Sequence, residues 1–516
     1  MARMSFFESL LALLATAILL LQVSRRLAIP YPTMLAAAGV GLALIPGMPR
    51  FSIDPHTALA LFIAPALVDA AFDFPIRAML RLWRPLFSLA VVVVLLSAGI
   101  VAWLGVARAG LPLFAAIALG AIVAPPDAAA ATAILSNVRM PLRSIALLKG
   151  ESLLNDAAAL LLFGAATAVQ THGGIDTTLG LKLLLAAPGG ILAGILLAKL
   201  VRLVNPFVTG TLGGNLMEFV TCFGVWVLAE RAGLSPVLCL VAFAMTLART
   251  AGLATRPRMR IHSFAVWETV VFLLNVLAFL LMGLQARSIV GGMAPARLHE
   301  AARFAGVVVL TLIVVRMAWV LIYNRLAVHF SAFRGSLKPS SFRQGILIGW
   351  SGMRGLVTLA TAFALPADFP QRDLIVLTAF SVVLATLIFQ GLTLGPLVHL
   401  LGLDGENGLE REIAEARAVM LEAALKDLEG QNGPAAHHWR WGMEVARNAV
   451  VAPIDCRPLH DKRKFGLAAM RRQRETLEQL RSEERVSGEA FLILQEDLDF
   501  MEVSISAEVD RQIVES

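Results

Sequence analysis

Over the first 400 positions, apolar stretches of 17 to 25 residues recur with only short polar breaks between them. Each is long enough to cross a hydrocarbon layer about 30 Å thick as a helix rising about 1.5 Å per residue. No other feature constrains the chain as much, because a water-soluble fold has nowhere to hide so many long apolar segments. Composition agrees: 58% of the 516 residues are hydrophobic and 16% are charged, against about 25% charged in soluble domains. The expected fold class is an all-α polytopic membrane protein. Its spans are expected near 5–23, 29–46, 57–73, 85–107, 112–135, 144–169, 181–204, 214–231, 233–248, 264–284, 302–328, 343–364 and 374–400, about 13 transmembrane helices. The opening run is read as the first span and not as a signal peptide. Its apolar stretch is longer than the usual ~7–15 residues, and no small-residue cleavage site follows Val23-Ser24-Arg25-Arg26.

Charge divides the chain near Leu403. Residues 1–402 carry 29 Lys+Arg against 14 Asp+Glu, and residues 403–516 carry 15 against 23. The basic residues of the first part lie in short loops, which speaks for orientation in a bilayer and not for nucleic acid as a partner. If the acidic tail is cytoplasmic, the inside loops hold 17 basic residues, among them Arg77, Arg81, Arg84, Arg139 and Arg143, and the outside loops hold 7. That bias expects an amino terminus outside and a carboxyl terminus inside. Two domains follow, a transmembrane domain at 1–403 and a cytoplasmic helical domain at 404–516. In the tail, residues 410–430 and 471–514 place apolar residues at three- and four-residue intervals, while 432–438 and 451–462 read as loops. Cys222, Cys239 and Cys456 form no CxxC pattern, and neither a disulfide framework nor a cofactor is expected.

Ionisable groups at membrane depth are costly and point to function. Six carboxylates fall in mid-span: Asp69, Asp127, Glu151, Asp156, Glu218 and Glu268. Asp127 follows Pro125 and Pro126, which remove two backbone donors and should break the fifth span. A broken helix at that depth must line protein or a water-filled cavity, and transporters use such breaks to coordinate ions. A plain proline kink with a capping Asp is the blander explanation. In the sixth span Ser152 and Asp156 share one helix face, and Glu151 and Asn155 share the adjacent one. A polar seam between packed helices would also account for them. Arg354 lies in mid-span among glycines and requires a carboxylate partner. Glu151 is the first choice, which leaves Asp127 and Asp156 as the titratable pair, and Glu268 is the competitor.

These stretches, VAPPDAAAATAIL, LLKGESLLNDAAALLLF, FLLNVLAFLLMGLQ, GWSGMRGLVTLATAFALP and FSVVLATLIFQGLTLGPLVHLLGL, resemble in order and spacing the monovalent cation:proton antiporter-1 family of sodium/proton exchangers. The resemblance covers about residues 8–403. It implies two inverted repeats of six helices, broken helices at mid-membrane, a homodimer in the cell membrane, and alternating access by an elevator-like movement. It implies Asp156 as the residue that binds cation or proton, with Asp127, Ser152 and the Pro126 carbonyl as further ligands. Glu151 and Asn155 match a support network that resembles a salt bridge to Arg354. Asn155 is similar to the electroneutral exchangers. Pro126-Asp127-Ala128 stands where the family usually reads Thr-Asp-Pro, which bears on ion selectivity.

The function expected is secondary antiport, in which proton and monovalent cation compete for Asp156 and Asp127. Burial penalises a bare carboxylate, and oxygen ligands suit a small hard cation. Na+ or Li+ is the cation expected, with K+ the alternative. A cation channel or an ion sensor is more remote, because the charge gathers at one site and not in rings along a pore. No HExxH or GxSxG pattern suggests an enzyme.

Overall fold

The computed structural model describes residues 6–27, 31–43, 55–127, 142–172, 177–208, 211–254, 257–290, 295–334, 340–366, 368–403, 408–451 and 457–506. These are built from helices, with no strand among the described residues. In order they are α1 (Phe6–Leu27), α2 (Tyr31–Ala43), α3 (Pro55–Phe72) and α4 (Ile76–Phe87). A π-helical turn at Ser88–Val92 carries α4 into α5 (Val93–Ala109), which is followed by α6 (Leu113–Val123), α7 (Leu142–His172) and α8 (Thr177–Val208). Then come α9 (Leu212–Arg231), α10 (Pro236–Ala254), α11 (Pro257–Val290), α12 (Pro295–His329), a single turn α13 (Ser331–Arg334), α14 (Phe342–Trp350), α15 (Leu356–Phe363) and α16 (Arg372–Leu401). Among the described residues, six segments are long and apolar enough to cross a membrane: Ile76–Ala109, Arg143–Gln170, Gly180–Val204, Pro257–Leu281, Arg297–His329 and Arg372–Leu401.

The ends of these helices follow from their residues. Pro55, Pro236, Pro257 and Pro295 open α3, α10, α11 and α12, where a missing N–H costs nothing because the first turn has no acceptor for it. Ser341 caps α14: its Oγ accepts from Gln344 N at 3.2 Å while Gln344 Oε1 accepts from Ser341 N at 3.1 Å. Gly110 (φ 62°) and Gly402 (φ 60°) end α5 and α16 in the left-handed conformation that a side chain would resist.

Between helices, small residues allow close approach. A Cβ at Gly120 of α6 would collide with the Ala98 carbonyl of α5, and one at Gly194 of α8 with the Cys239 carbonyl of α10. Such contacts replace a hydrophobic drive that helices surrounded by lipid do not have. Leu184, Leu192, Leu196 and Leu203, recurring along α8, are each more than two-thirds exposed. That stripe would be a liability in water and is ordinary against acyl chains.

One expected span is corrected. The run 343–364 is not one continuous helix but α14 and α15 separated by Ser351–Gly355, because Gly352, Arg354 and Gly355 let the backbone leave the helix and find other partners. The run 374–400, by contrast, is one helix despite Pro396. The second half of the fifth expected span, with Ala128, the loop residue Arg139 after it, and Cys456 in the tail lie outside the described residues.

Residues 407–515 form a compact unit of their own. It contains α17 (Gly408–Asp427), α18 (Pro434–Val451), α19 (Arg457–Ser482) and α20 (Gly488–Ile505). Of the expected loops at 432–438 and 451–462, residues 434–438 and 457–462 are helix, since Pro434 starts α18 and Arg457 starts α19, while 452–456 lie outside the described residues. α19 and α20 pack through Met470, Leu477, Phe491 and Leu498. Arg474 bridges the pair to Asp499 at 2.7 Å and Glu502 at 2.6 Å.

Candidate functional site

Two interrupted segments meet at the site. The first is Ala124–Asp127, which ends α6. In a continuous helix the Asp127 amide would bond the Val123 carbonyl, and residues 125 and 126 would supply donors that proline does not have. Two of the orphaned groups find partners in the second interruption. Asp127 N donates to Met353 O at 2.6 Å, and Arg354 Nε donates to Val123 O at 3.2 Å. At the start of α15, where amides have no intrahelical acceptor, Leu356 N donates to Asp127 Oδ2 at 3.1 Å. The carboxylate thus sits at the positive end of a helix, a placement that favours its charge.

Gly355 makes this cradle possible. A Cβ there would overlap Asp127 Oδ2, so any side chain must displace the carboxylate. If the site carries the activity that the sequence leads one to expect, Gly355→Ala should insert and fold yet lose that activity by roughly tenfold or more, a change of about 1.4 kcal/mol. Activity of the purified variant, measured beside its thermal melt, checks this. Wild-type activity would show that the Asp127 position is unimportant.

α7 supplies the other half of the site. Asn155 Nδ2 donates to Pro126 O at 2.7 Å, tying the helix to the break and leaving that carbonyl a second lone pair. The neighbouring Asp156 is 6% exposed and lies within electrostatic reach of Asp127. Among the described residues no donor hydrogen-bonds the Asp156 carboxylate. Ser152, one turn earlier, is half-buried. The structure therefore brings together Pro126, Asp127, Asn155 and Asp156, with Ser152 on the Asp156 face of the same helix.

The ion pair expected between Glu151 and Arg354 is not the one that forms. Glu151 is held in bidentate fashion by Arg316 of α12, through Nη1 to Oε1 and through Nη2 to Oε2 at 2.9 Å. Arg316 Nη2 also donates to Ile348 O at 3.1 Å. The residues of this pair are 1% exposed. The physical reason is room: Gly352 lies against the Arg316 side chain, where a Cβ would collide with Cδ and Nε. Arg354, fully buried, serves the backbone instead, with Nη1 donating to Gly352 O and its own amide donating to Thr386 Oγ1 at 3.1 Å. The competitor Glu268 is exposed on α11. Glu218 belongs to a separate contact, where its Oε2 accepts from Ser263 Oγ and Trp267 Nε1, each at 2.6 Å. Nothing in the sequence reading singled out Arg316. The signal was present, a lone arginine in LTLIVVRMAWVLI, and it is the same signal that drew attention to Arg354.

Chemically, the site offers two carboxylates, a carbonyl and a hydroxyl, all oxygen donors, in a buried setting at a helix break. It suits a monovalent cation or a proton better than a resident transition metal, which would ask for nitrogen or sulfur. The model of the sodium/hydrogen exchanger transmembrane family matches residues 10–400. The uncharacterized Na(+)/H(+) exchanger YjcE of Escherichia coli is 29% identical over 534 residues, covering 93% of this chain and 95% of that protein. A sodium, potassium, lithium and rubidium/H(+) antiporter of Bacillus pumilus is 28% identical over 509 residues, covering 93% of this chain and 74% of its own. In three dimensions the chain is similar to the sodium proton antiporter MjNhaP1 of Methanocaldococcus jannaschii, with a TM-score of 0.59 and 18% identity over 78% of this chain and all of that one.

Proposed function

Because the chain belongs to the sodium/hydrogen exchanger family, a family of transporters and not of enzymes, we propose that it exchanges Na+ or Li+ for H+ across a cell membrane, with cation and proton competing for Asp156 and Asp127. One observation carries this reading: Asp156 is a buried carboxylate with no hydrogen-bond donor among the described residues, beside a second carboxylate. Two carboxylate anions so placed repel, and a proton or a cation relieves both the repulsion and the hydration lost by Asp156. Only the loaded forms then cross the membrane, and competition alone produces exchange. Asp127, Ser152 and the Pro126 carbonyl act as further ligands. Glu151 and Asn155 hold the ligands in place, the first through Arg316 and the second through the broken segment, while Arg354 braces the crossing.

The membrane unit works as thirteen spans in two inverted repeats. The amino terminus is outside the bacterial inner membrane and the helical tail is in the cytoplasm. Residues 1–403 carry transport, residues 404–516 form the appended domain, and the protein acts as a homodimer. K+ is the second candidate cation. The alkali-metal breadth in the name of the Bacillus pumilus relative favours it, as does Pro126-Asp127-Ala128, which lacks the threonine hydroxyl of Thr-Asp-Pro.

Competition has a kinetic signature. Where the site is mostly protonated, each unit fall in pH should raise the apparent cation KM about tenfold, since a unit of pH is about 1.4 kcal/mol of competing occupancy. The maximal rate should change little. One-for-one exchange moves no net charge, so an imposed membrane potential should leave the rate unaltered. Initial rates in proteoliposomes across pH and clamped potential test both statements. A KM independent of pH contradicts competition, and a strong voltage dependence contradicts the stoichiometry alone.

A further inference from the structure

Behind the ion pair, toward the end of the bundle assigned to the cytoplasm, a cavity opens between α4, α7, α12 and α14. Pro85, Arg143, Tyr323, Asn324 and Gly345 line it, and among the described residues no carboxylate lines it. We propose that this cavity binds the phosphate of an anionic lipid headgroup.

Charge is the first reason. Arg143 opens into the cavity, Arg81 of α4 lies within electrostatic reach of Arg143, and Arg84 is in reach of Tyr323. The like charges of Arg81 and Arg143 repel, and a shared anion converts that cost into attraction. A phosphodiester presents two unesterified oxygens, which match the planar donor fork of arginine. Asn324 adds a neutral donor. One of its amide hydrogens goes to Ser341 O at 3.3 Å, and the second is left over. Tyr323 shapes the wall and does not contribute a proton, because its hydroxyl already donates to Phe333 O at 2.7 Å. Gly345 keeps the space open, since a Cβ there would come within 3.2 Å of Asn324 Nδ2.

The rim is the second reason, and it decides for a lipid over a free phosphate. On α4, Leu80, Trp83 and Phe87 are all more than half exposed and recur at three- and four-residue intervals, forming an apolar face beside the arginines. The Arg84 guanidinium lies 5.4 Å from the centre of the Trp83 ring. Tryptophan and arginine together on one short helix mark the headgroup level of a bilayer, with acyl chains against the apolar face. A headgroup in the cavity bridges α7 and α12. Arg143 stands two turns before Glu151, and Tyr323 two turns after Arg316, so the lipid clamps the helices that carry the buried ion pair. The site is separate from the cation ligands and does not depend on which ion is carried.

The test is the thermal unfolding of the purified full-length protein in detergent mixed with phosphatidylglycerol or phosphatidylcholine, or with inorganic phosphate and no added lipid. Phosphatidylglycerol should raise the unfolding temperature by several degrees, while phosphatidylcholine and inorganic phosphate should not. Arg143→Gln and the exposed Arg81→Gln should each remove more than half of that rise, with unchanged unfolding temperature in phosphatidylcholine. Arg202→Gln, a basic residue of α8 distant in sequence from the cavity, should keep it. Should Arg143→Gln fail to fold, Arg81→Gln carries the test alone. An undiminished rise in Arg81→Gln, an equal loss in Arg202→Gln, or a full rise with inorganic phosphate would each overturn the proposal.

Discussion

Asp156→Asn is expected to fold and insert like the wild type and to show no cation-driven proton movement. Asparagine has nearly the volume of aspartate. The carboxylate it replaces is 6% exposed and accepts no hydrogen bond among the described residues, so the fold loses nothing that holds it together. What disappears is the negative charge that takes up a proton on one side and a cation on the other. Exchange should fall by at least about a hundredfold, which is about 2.7 kcal/mol of lost site free energy. Thermal stability should be equal or higher, because an anion is no longer buried beside Asp127. Proton flux and melting temperature, measured on the same preparation, check the prediction. Retention of most activity would remove Asp156 from the centre of the mechanism.

The second large effect concerns Glu151 and Arg316. Removing one member of a buried pair strands the other charge, at a cost of about 3–5 kcal/mol, so Glu151→Ala and Arg316→Ala should each be severely destabilised. The double variant should lose less than the sum of the singles, because no charge is then left behind. Glu151→Ala with Arg354→Ala should instead be closer to additive, since Arg354 donates to the Val123 and Gly352 carbonyls and not to Glu151. Chemical denaturation or thermal melts of the three singles and two doubles would settle the pairing. Coupling of Glu151 to Arg354 larger than to Arg316 would contradict the observed geometry.

Most of the fold was legible because membrane spans are written in apolar runs about 20 residues long. The break at Asp127 was legible for a local reason, the two missing donors of Pro125 and Pro126. The break at Ser351–Gly355 was not, because glycine permits departure from a helix without requiring it. What draws the backbone out is Asp127, whose amide donates to Met353 O and whose carboxylate accepts from the Leu356 amide, 229 residues away in sequence. For the same reason the partner of Glu151 could not be chosen from sequence. Two arginines stand in mid-span, and which of them reaches the carboxylate depends on where Gly352 lets α12 approach. In the tail, the starts of α18 and α19 were hidden because proline and charged residues resemble loops as readily as first helical turns.

Proteoliposomes loaded with a pH-sensitive dye, carrying an imposed proton gradient and given a pulse of Na+, Li+ or K+, test cation/proton exchange through Asp156 most directly. The wild type should collapse the gradient on addition of Na+ or Li+, with the rate unchanged by a potassium-free voltage clamp, and Asp156→Asn should leave the gradient standing under every cation. A wild-type protein that ignores all three cations, or a variant that collapses the gradient as fast as the wild type, would contradict it.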